Sequence, residues 1–173
     1  VSVQRSTKEL YAPKGGVNLA PRQHARKMRV GKVTYAEAYR AVSEYRLRYP
    51  EKAVTYYAQN YPAMAWAVAM AGGSCPQIKG VSEELLQAFA RTVPMERKAG
   101  DVYEMVKSDT DIIIYSHSKS KFTIPVAAGK YMLKQVNVES GEECIIGNRL
   151  RISGQYEIPA ASQEECVYWL HRL

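Results

Sequence analysis

Two amides and a tyrosine, Gln59, Asn60 and Tyr61, are candidate ligand-binding residues because they directly follow a short apolar segment. That segment, residues 53–58, is rich in β-branched and aromatic side chains, which is typical of a buried parallel strand. In α/β folds, ligands bind just beyond the carboxyl ends of such strands. Amides hydrogen-bond hydroxyl groups but act neither as nucleophile nor as general acid. The sequence therefore predicts binding here, unless Asn60 serves as the N-cap of the next helix, a position that Asn favours.

Arg22 and His24 form a second candidate site, which lies in a basic segment. Residues 1–50 hold 4 Lys and 7 Arg against 3 Glu, whereas residues 51–173 hold 13 basic and 14 acidic residues. The net charge of +7 therefore belongs to the first segment. Such a segment binds an anionic group, packs on an acidic partner or is simply solvated. Because no zinc-finger spacing, RNP pattern or GXXG loop accompanies it, we expect no nucleic-acid partner.

The sequence has no nucleophile elbow, zinc-protease motif or phosphate loop, so motifs alone do not support an enzyme. Three cysteines are present, Cys75, Cys144 and Cys166, without a C-x-x-C pair or a His at metal-ligand spacing. We therefore expect no metal and no other cofactor. Cys144 and Cys166 either form a disulfide bond or remain free thiols. No apolar run reaches the roughly 18 residues of a membrane span.

Three helices are predicted in the first half of the chain. Thr34 and Glu37 form a capping box, apolar side chains then recur at three- and four-residue spacing, and Pro50 ends the helix. The helix over 62–71 starts with a proline and is apolar on every side, which indicates that it is buried. A last helix begins at residue 82 and ends at Pro94.

From residue 103 the apolar period changes from helical to two. The predicted strands are 102–107, 111–117, 121–126, 130–138, 143–146, 149–153, 156–158 and 166–171. Short strands separated by regular turn signals are typical of an antiparallel β-sandwich. The fold class is therefore α+β in two parts, an αβ segment over residues 1–97 and a β domain over residues 98–173.

The helix–strand–helix unit at 35–71 needs partners. A parallel strand requires parallel neighbours, and an all-apolar helix requires cover. By itself this unit would expose a large apolar surface made by Val54, Tyr56, Trp66, Val68 and Met70. We therefore expect a chain that is incomplete or tightly partnered. We also expect its two parts to share an apolar interface that includes Phe89.

The order of elements after residue 50 carries a family resemblance. The helix YPAMAWAVAMAGGS at 61–74, the apolar strand at 111–115, the hairpin segment at 129–143 and the closing strand at 167–170 are its motifs. They resemble the barrel end and the small C-terminal β-sandwich, of the kind described as collagen-binding, in bacterial glycoside hydrolases. The resemblance implies that residues 34–93 are the last portion of a (β/α)8 barrel. It also implies that Gln59 or Asn60 stands where that family expects a nucleophilic Glu.

The resemblance thus implies the C-terminal portion of a secreted or periplasmic glycoside hydrolase acting on polysaccharide or oligosaccharide. Its catalytic carboxylate pair would then lie outside this chain, and the β domain would stabilise the barrel and contact glycan through Tyr or Trp169. The alternative is a non-catalytic carbohydrate- or polyanion-binding module with a basic N-terminal arm. A steep loss of binding with salt would favour that alternative.

Overall fold

A computed structural model describes residues 2–3, 34–58, 61–96, 102–161, 163 and 165–173. In chain order the elements are β1 (Ser2–Val3), α1 (Tyr35–Arg48), β2 (Thr55–Tyr56), α2 (Pro62–Met70), α3 (Glu83–Arg91), β3 (Val93–Pro94), β4 (Tyr103–Lys107), β5 (Asp111–Ser116), β6 (Phe122–Val136), β7 (Glu143–Ile158) and β8 (Cys166–Arg172). β1 and β2 form a parallel pair, and the other strands form one antiparallel sheet in the order β3-β4-β5-β8-β6-β7. The α+β class is therefore confirmed.

Local sequence signals set the starts of the helices. At α1 the Thr34 hydroxyl accepts from the Glu37 backbone N–H, and the Glu37 carboxylate accepts from the Thr34 backbone N–H at 3.0 Å, which completes the predicted capping box. Pro62 occupies the first turn of α2. At α3 the Ser82 hydroxyl accepts from the Leu85 N–H at 3.2 Å. These three predictions are confirmed.

The buried helix α2 obtains its cover from this chain. Every residue from Met64 to Met70 is buried, and Trp66 and Met70 have no exposed surface. Their apolar cluster includes side chains of α1 and α3 and, from the antiparallel sheet, Ile113 and Val167. The cover that Val54, Tyr56, Trp66, Val68 and Met70 require is therefore present within this chain, because one face of the sheet takes the place expected for barrel neighbours.

The predicted parallel strand exists but is shorter than residues 53–58. Thr55 pairs with Ser2 and Tyr56 with Val3, so β2 has a parallel neighbour within the chain. The segment after α2 returns to β2, since the Ser74 N–H donates to the Val54 carbonyl at 2.7 Å. The unit therefore keeps the local geometry of an α/β fold while it packs against an antiparallel sheet.

The β part has fewer and longer strands than predicted. The segments 121–126 and 130–138 are one strand, β6, and the three segments between 143 and 158 are one strand, β7. The pairing register of β6 with β7 shifts between Val126 and Gly129 and again near Leu133. The small and polar residues that predict turns thus mark irregularities inside a long hairpin, which bend strands without ending them.

The bent hairpin also supplies the second β layer. Phe122, at the start of β6, stacks on Tyr103 of β4 with ring centroids 4.7 Å apart and meets Tyr168 of β8 edge-on at 6.5 Å. Ile124 and Ile158 of the hairpin are fully buried in the same apolar cluster as sheet residues of β5 and β8. A sandwich of two separate sheets is therefore the wrong description, because one continuous sheet folds over on itself.

Two loop segments, one before α3 and one before β7, bring the helical part and the β part into direct backbone contact. Gly80 and Gly141 both have left-handed backbone angles, with φ of +76° and +74°. A Cβ on Gly80 would lie 1.9 Å from the Ser140 carbonyl oxygen, and one on Gly141 would lie 2.2 Å from the Lys79 carbonyl oxygen. Backbone packs on backbone here, which leaves room only for glycine.

We expect Gly141→Ala to lower the free energy of unfolding by more than about 2 kcal/mol, from the left-handed strain plus the backbone clash. Gly154→Ala is the matched control, because Gly154 has φ of +85° but a Cβ at that position would meet nothing within 4 Å. Urea denaturation followed by circular dichroism compares the two. Equal losses would contradict a tight contact between the turns.

Candidate functional site

The carboxyl edge of the parallel pair is the site that the sequence predicts. β2 ends at Tyr56, and the next residue, Tyr57, is 63 % exposed. Tyr61, 61 % exposed, is the N-cap residue of α2, and its backbone N–H donates to the Ala58 carbonyl at 3.0 Å. The Gln77 side-chain oxygen accepts from the Ala58 N–H at 3.3 Å and so ties this turn to the segment after α2. Two exposed tyrosines, Tyr57 and Tyr61, therefore lie just after β2 and just before α2.

Of the candidate site residues predicted from the sequence, only some are among the residues that the structure describes. Tyr61 lies on it, whereas Arg22, His24, Gln59 and Asn60 lie outside the described residues. The alternative that Asn60 is the N-cap of α2 is wrong, because Tyr61 occupies that position and makes no side-chain capping bond. Sequence reasoning missed Tyr57, although its place at the end of the predicted strand was a usable signal.

The start of α1 reaches the same edge. Burial, and then the negative charge of Glu37, raise the pKa of the Tyr56 hydroxyl. The Glu37 carboxylate is itself engaged by Thr34, whose backbone N–H and hydroxyl donate to it at 3.0 and 2.9 Å. Glu37 therefore has a structural task, and its capping box makes it a poor general acid or nucleophile.

Within the described ranges two carboxylates are buried, Glu104 and Asp111, and both belong to the antiparallel sheet. Asp111 lies at the start of β5, and Glu104 pairs with Tyr115 near its end. Four residues along a strand span about 13 Å, which is wider than the roughly 5–9.5 Å between the two carboxyl groups of a glycosidase. These two carboxylates do not form a catalytic pair.

Asp111 is the centre of a hydrogen-bond network. Its Oδ1 accepts from Trp169 Nε1 and contacts His171 Nδ1, both at 2.9 Å. Its Oδ2 accepts from the Thr110 hydroxyl at 2.7 Å and from Arg91 Nη2 at 3.2 Å. A fully buried carboxylate with four such partners is saturated, so it holds α3 and β8 to β5 rather than acting on a ligand.

Glu104 forms the second network, with His117 Nε2 as its partner. The Tyr35 ring meets His117 edge-on at 4.7 Å and stacks on Tyr115 at 4.3 Å. Burial, and then Glu104, raise the pKa of Tyr35, while burial, and then Glu165, raise the pKa of Tyr115. Both hydroxyls stay neutral, and neither has a hydrogen bond of normal geometry within the described part of the chain. The cluster packs the first turn of α1 onto the sheet.

Both histidines of the β part therefore have carboxylate partners that sequence reasoning did not find. Trp169, predicted to contact glycan, is only 3 % exposed. Its indole N–H is used by Asp111, and Lys134 Nζ lies 4.4 Å from its ring centre. The predicted role of Trp169 is wrong because its side chain faces the helices.

Cys75, Cys144 and Cys166 are free thiols, which decides against the Cys144–Cys166 bridge.

The geometry of the described residues suits binding better than catalysis. Tyr57 and Tyr61 present flat amphipathic rings at the place where α/β folds hold ligands. Among the described residues no group of three His, Cys, Asp or Glu side chains is arranged to hold a metal ion. None of the helices in the described ranges is long and apolar enough to cross a membrane.

The fold class is thus an α/β unit with a parallel pair, joined to a bent antiparallel sheet. The family described as Domain of unknown function (DUF6298) matches residues 2–93, which is more than half of the 173 residues. The chain belongs to this family. No curated protein matches the chain.

Solved structures align with most of this chain at low sequence identity. A structure titled "Glycoside hydrolase" aligns with a TM-score of 0.54 and 13% identity over 84% of this chain and 49% of its own length. A glycoside hydrolase family 5 protein from Bacteroides vulgatus ATCC 8482 aligns with a TM-score of 0.49 and 12% identity over 87% of this chain and 48% of its own. The chain spans about half the length of these structures. At such identities the first likeness concerns the fold alone.

Proposed function

We propose that this chain is the C-terminal portion of a glycoside hydrolase that acts on polysaccharide. The main observation that supports this proposal is the pair of exposed tyrosines, Tyr57 and Tyr61, at the carboxyl edge of a parallel strand pair. Support also comes from the likeness in fold to a glycoside hydrolase, which extends over 84% of this chain and so takes in both its parts. In this proposal residues 1–97 complete a barrel and residues 98–173 are an accessory domain.

The substrate-binding residues in this proposal are Tyr61, Gln59, Asn60, Arg22 and His24. Gln59 and Asn60 stand between Tyr57 and Tyr61 in the sequence, and in this proposal their amides hydrogen-bond sugar hydroxyls. Arg22 and His24 stand between Val3 and Thr34 in the sequence, and in this proposal they bind an acidic group of the substrate.

The catalytic carboxylates of the proposed enzyme belong to residues that are not in this chain. Hydrolysis of a glycosidic bond requires an acid and a nucleophile or base. Glu37, Glu104 and Asp111 are each committed to structural hydrogen bonds. The role of this chain is then to close the barrel and to position the polysaccharide.

The accessory role of the β part has a physical basis. The apolar cluster around α2 contains Val106, Ile113 and Val167 of the sheet, and Phe89 of α3 packs against it. Without the sheet, α2 would present a bare apolar surface to water, which costs about 25 cal/mol per Å². We therefore propose that the β part stabilises the barrel end.

A binding assay tests the proposal. The double variant Tyr57→Ala/Tyr61→Ala is expected to bind polysaccharide roughly 5- to 150-fold more weakly than the unchanged chain, since each stacked ring contributes about 0.5–1.5 kcal/mol. Affinity electrophoresis in gels containing xylan, β-glucan or polygalacturonate measures the change. Tyr49→Ala is the matched control, because Tyr49 caps the opposite end of α1 and is 38 % exposed.

Two outcomes would overturn the proposal. Retention of the double variant equal to that of the unchanged chain in every gel would remove the tyrosine edge as a sugar-binding site. Binding to polygalacturonate that falls steeply with salt and is unchanged in the double variant would favour a polyanion-binding module instead.

A further inference from the structure

A cavity of about 200 Å³ lies at the turn between β4 and β5, away from the parallel pair. Its lining comes from the turn, from the end of β8 and from the bend of the β6–β7 hairpin. The lining residues are Lys107, Ser108, Asp109, Thr110, Ile112, Ala127, Tyr131 and Arg172. Ile112 and Tyr131 belong to the apolar cluster between the two β layers, so the floor of the cavity is firm.

Two cationic side chains, Lys107 and Arg172, line this cavity. Lys107 and Arg172 form no ion pair with any residue that the structure describes. The lining holds one carboxylate, Asp109, which is exposed. The cavity therefore carries a net positive charge and attracts an anionic group.

Arg172 is exposed, and two hydrogen bonds to backbone carbonyls anchor it at the cavity wall. Its backbone N–H donates to the Thr110 carbonyl at 2.8 Å, and its Nη2 donates to the Ala128 carbonyl at 3.2 Å. Tyr131, directly opposite Arg172 in the sheet, donates its hydroxyl to the Ala127 carbonyl at 3.0 Å. A guanidinium that is held in this way loses less freedom when it binds a carboxylate.

Gly129 makes room for both of these side chains. A Cβ at this position would lie 3.1 Å from Arg172 Nε and 3.2 Å from the ring of Tyr131. The bare backbone therefore lets the guanidinium and the ring lie side by side at the cavity wall. This arrangement combines a fixed cation, a second cation, hydroxyl groups and an apolar floor.

We propose that this cavity binds one acidic sugar unit, with its carboxylate between Lys107 and Arg172. Arg and Lys are the side chains that bind carboxylates through charge-assisted hydrogen bonds. The apolar floor at Ile112 and Ala127 suits the ring of a sugar, and the polar groups of Ser108 and Asp109 suit its hydroxyls. A volume of about 200 Å³ is below that of pockets for drug-sized ligands, which fits a single ring.

This proposal deepens the proposed function, because it assigns acidic units to the polysaccharide. The cavity is nevertheless separate from the edge that carries Tyr57 and Tyr61, so each site is tested by substitutions of its own residues. Binding of sodium glucuronate to the intact chain tests it, measured by isothermal titration calorimetry with glucose and inorganic phosphate as comparison probes. We expect saturable glucuronate binding, weak or absent glucose binding, and at least a tenfold loss of affinity in Arg172→Gln and in Lys107→Gln.

Arg151→Gln is the matched control, since Arg151 is exposed on β7, stands opposite Lys130 and does not line the cavity. It removes the same charge and should leave glucuronate binding unchanged. An equal loss in Arg151→Gln would mean that net charge alone attracts the ligand and would overturn the proposal. Phosphate binding as tight as that of glucuronate would overturn the sugar specificity. An unchanged glucuronate affinity in Tyr57→Ala/Tyr61→Ala would separate this site from the proposed function.

Discussion

Replacing Asp111 with alanine is expected to lower the free energy of unfolding by about 3–4 kcal/mol, because loss of one partner from a buried charged network typically costs this much. The side chain is fully buried and accepts hydrogen bonds from Trp169, Thr110 and Arg91, with His171 as a fourth partner. Its removal leaves the buried Trp169 indole N–H without an acceptor and Arg91 without its counter-charge. Chemical denaturation at neutral pH measures the change.

The same residue predicts an acid dependence of stability. Burial raises the pKa of Asp111, but hydrogen bonds from His171, Thr110, Trp169 and Arg91 outweigh it and lower the pKa from 3.8 to about 2. A depressed folded-state pKa stabilises the protein above the unfolded-state value of 3.8, and this stabilisation disappears as the pH falls towards 2. The shift corresponds to about 2 kcal/mol, at roughly 1.36 kcal/mol per pKa unit. The unchanged chain should lose this contribution between about pH 4 and pH 2.

Asp111→Asn separates the charge from the shape. It keeps an acceptor for Trp169 but has no titrating group, so its stability should fall less than that of the unchanged chain between about pH 4 and pH 2. Glu157→Gln is the control, because Glu157 forms an exposed ion pair with Lys121 and should change stability by less than about 0.5 kcal/mol. A variant at Asp111 whose acid dependence matched that of the unchanged chain would show that other carboxylates control it.

The sequence predicted those features that depend on neighbouring residues. The capping box of Thr34 and Glu37, the proline at the start of α2 and the serine cap of α3 are local hydrogen-bond or dihedral effects, and the structure has all three. Strand ends were harder, because a glycine inside a strand and a glycine in a turn look alike in sequence. Gly129 and Gly147 therefore gave false strand ends within β6 and β7.

The partners of polar residues could not be predicted, because they lie far away along the chain. His171 contacts Asp111, 60 residues earlier, and Trp169 gives its N–H to the same carboxylate. Nothing in the local pattern of β8 distinguishes an exposed Trp from one that faces the helices. The cover of α2 was missed for a similar reason. An apolar helix can be covered equally well by an antiparallel sheet or by neighbouring elements of a barrel, and its sequence does not distinguish the two. Ligand binding at the edge with Tyr61 stays a prediction, which follows from strand direction alone.

Trp66→Ala is expected to destabilise the helical part and the β part together, by about 3–5 kcal/mol, since truncation of a buried Trp leaves a cavity. Trp66 has no exposed surface, packs on Phe89 with ring centroids 6.0 Å apart and donates its indole N–H to the Val138 carbonyl at 3.0 Å. The cavity would lie in the cluster that α2 shares with the sheet. The chain has 2 Trp, so in this variant the tryptophan fluorescence comes from Trp169 of β8 alone.

Trp66→Phe tests the hydrogen bond apart from the ring. It keeps most of the apolar surface but leaves the Val138 carbonyl without its donor, so a loss of about 1–3 kcal/mol is expected, from the buried acceptor and the smaller ring. Tyr61→Ala, at the exposed start of the same helix, should change stability far less because the Tyr61 side chain is 61 % exposed. If Trp169 fluorescence in Trp66→Ala melts at the temperature of the unchanged chain while helical circular dichroism is lost earlier, the two parts unfold independently. The sheet would then not be the cover that keeps α2 folded, and the proposed stabilising role of residues 98–173 would fail with it.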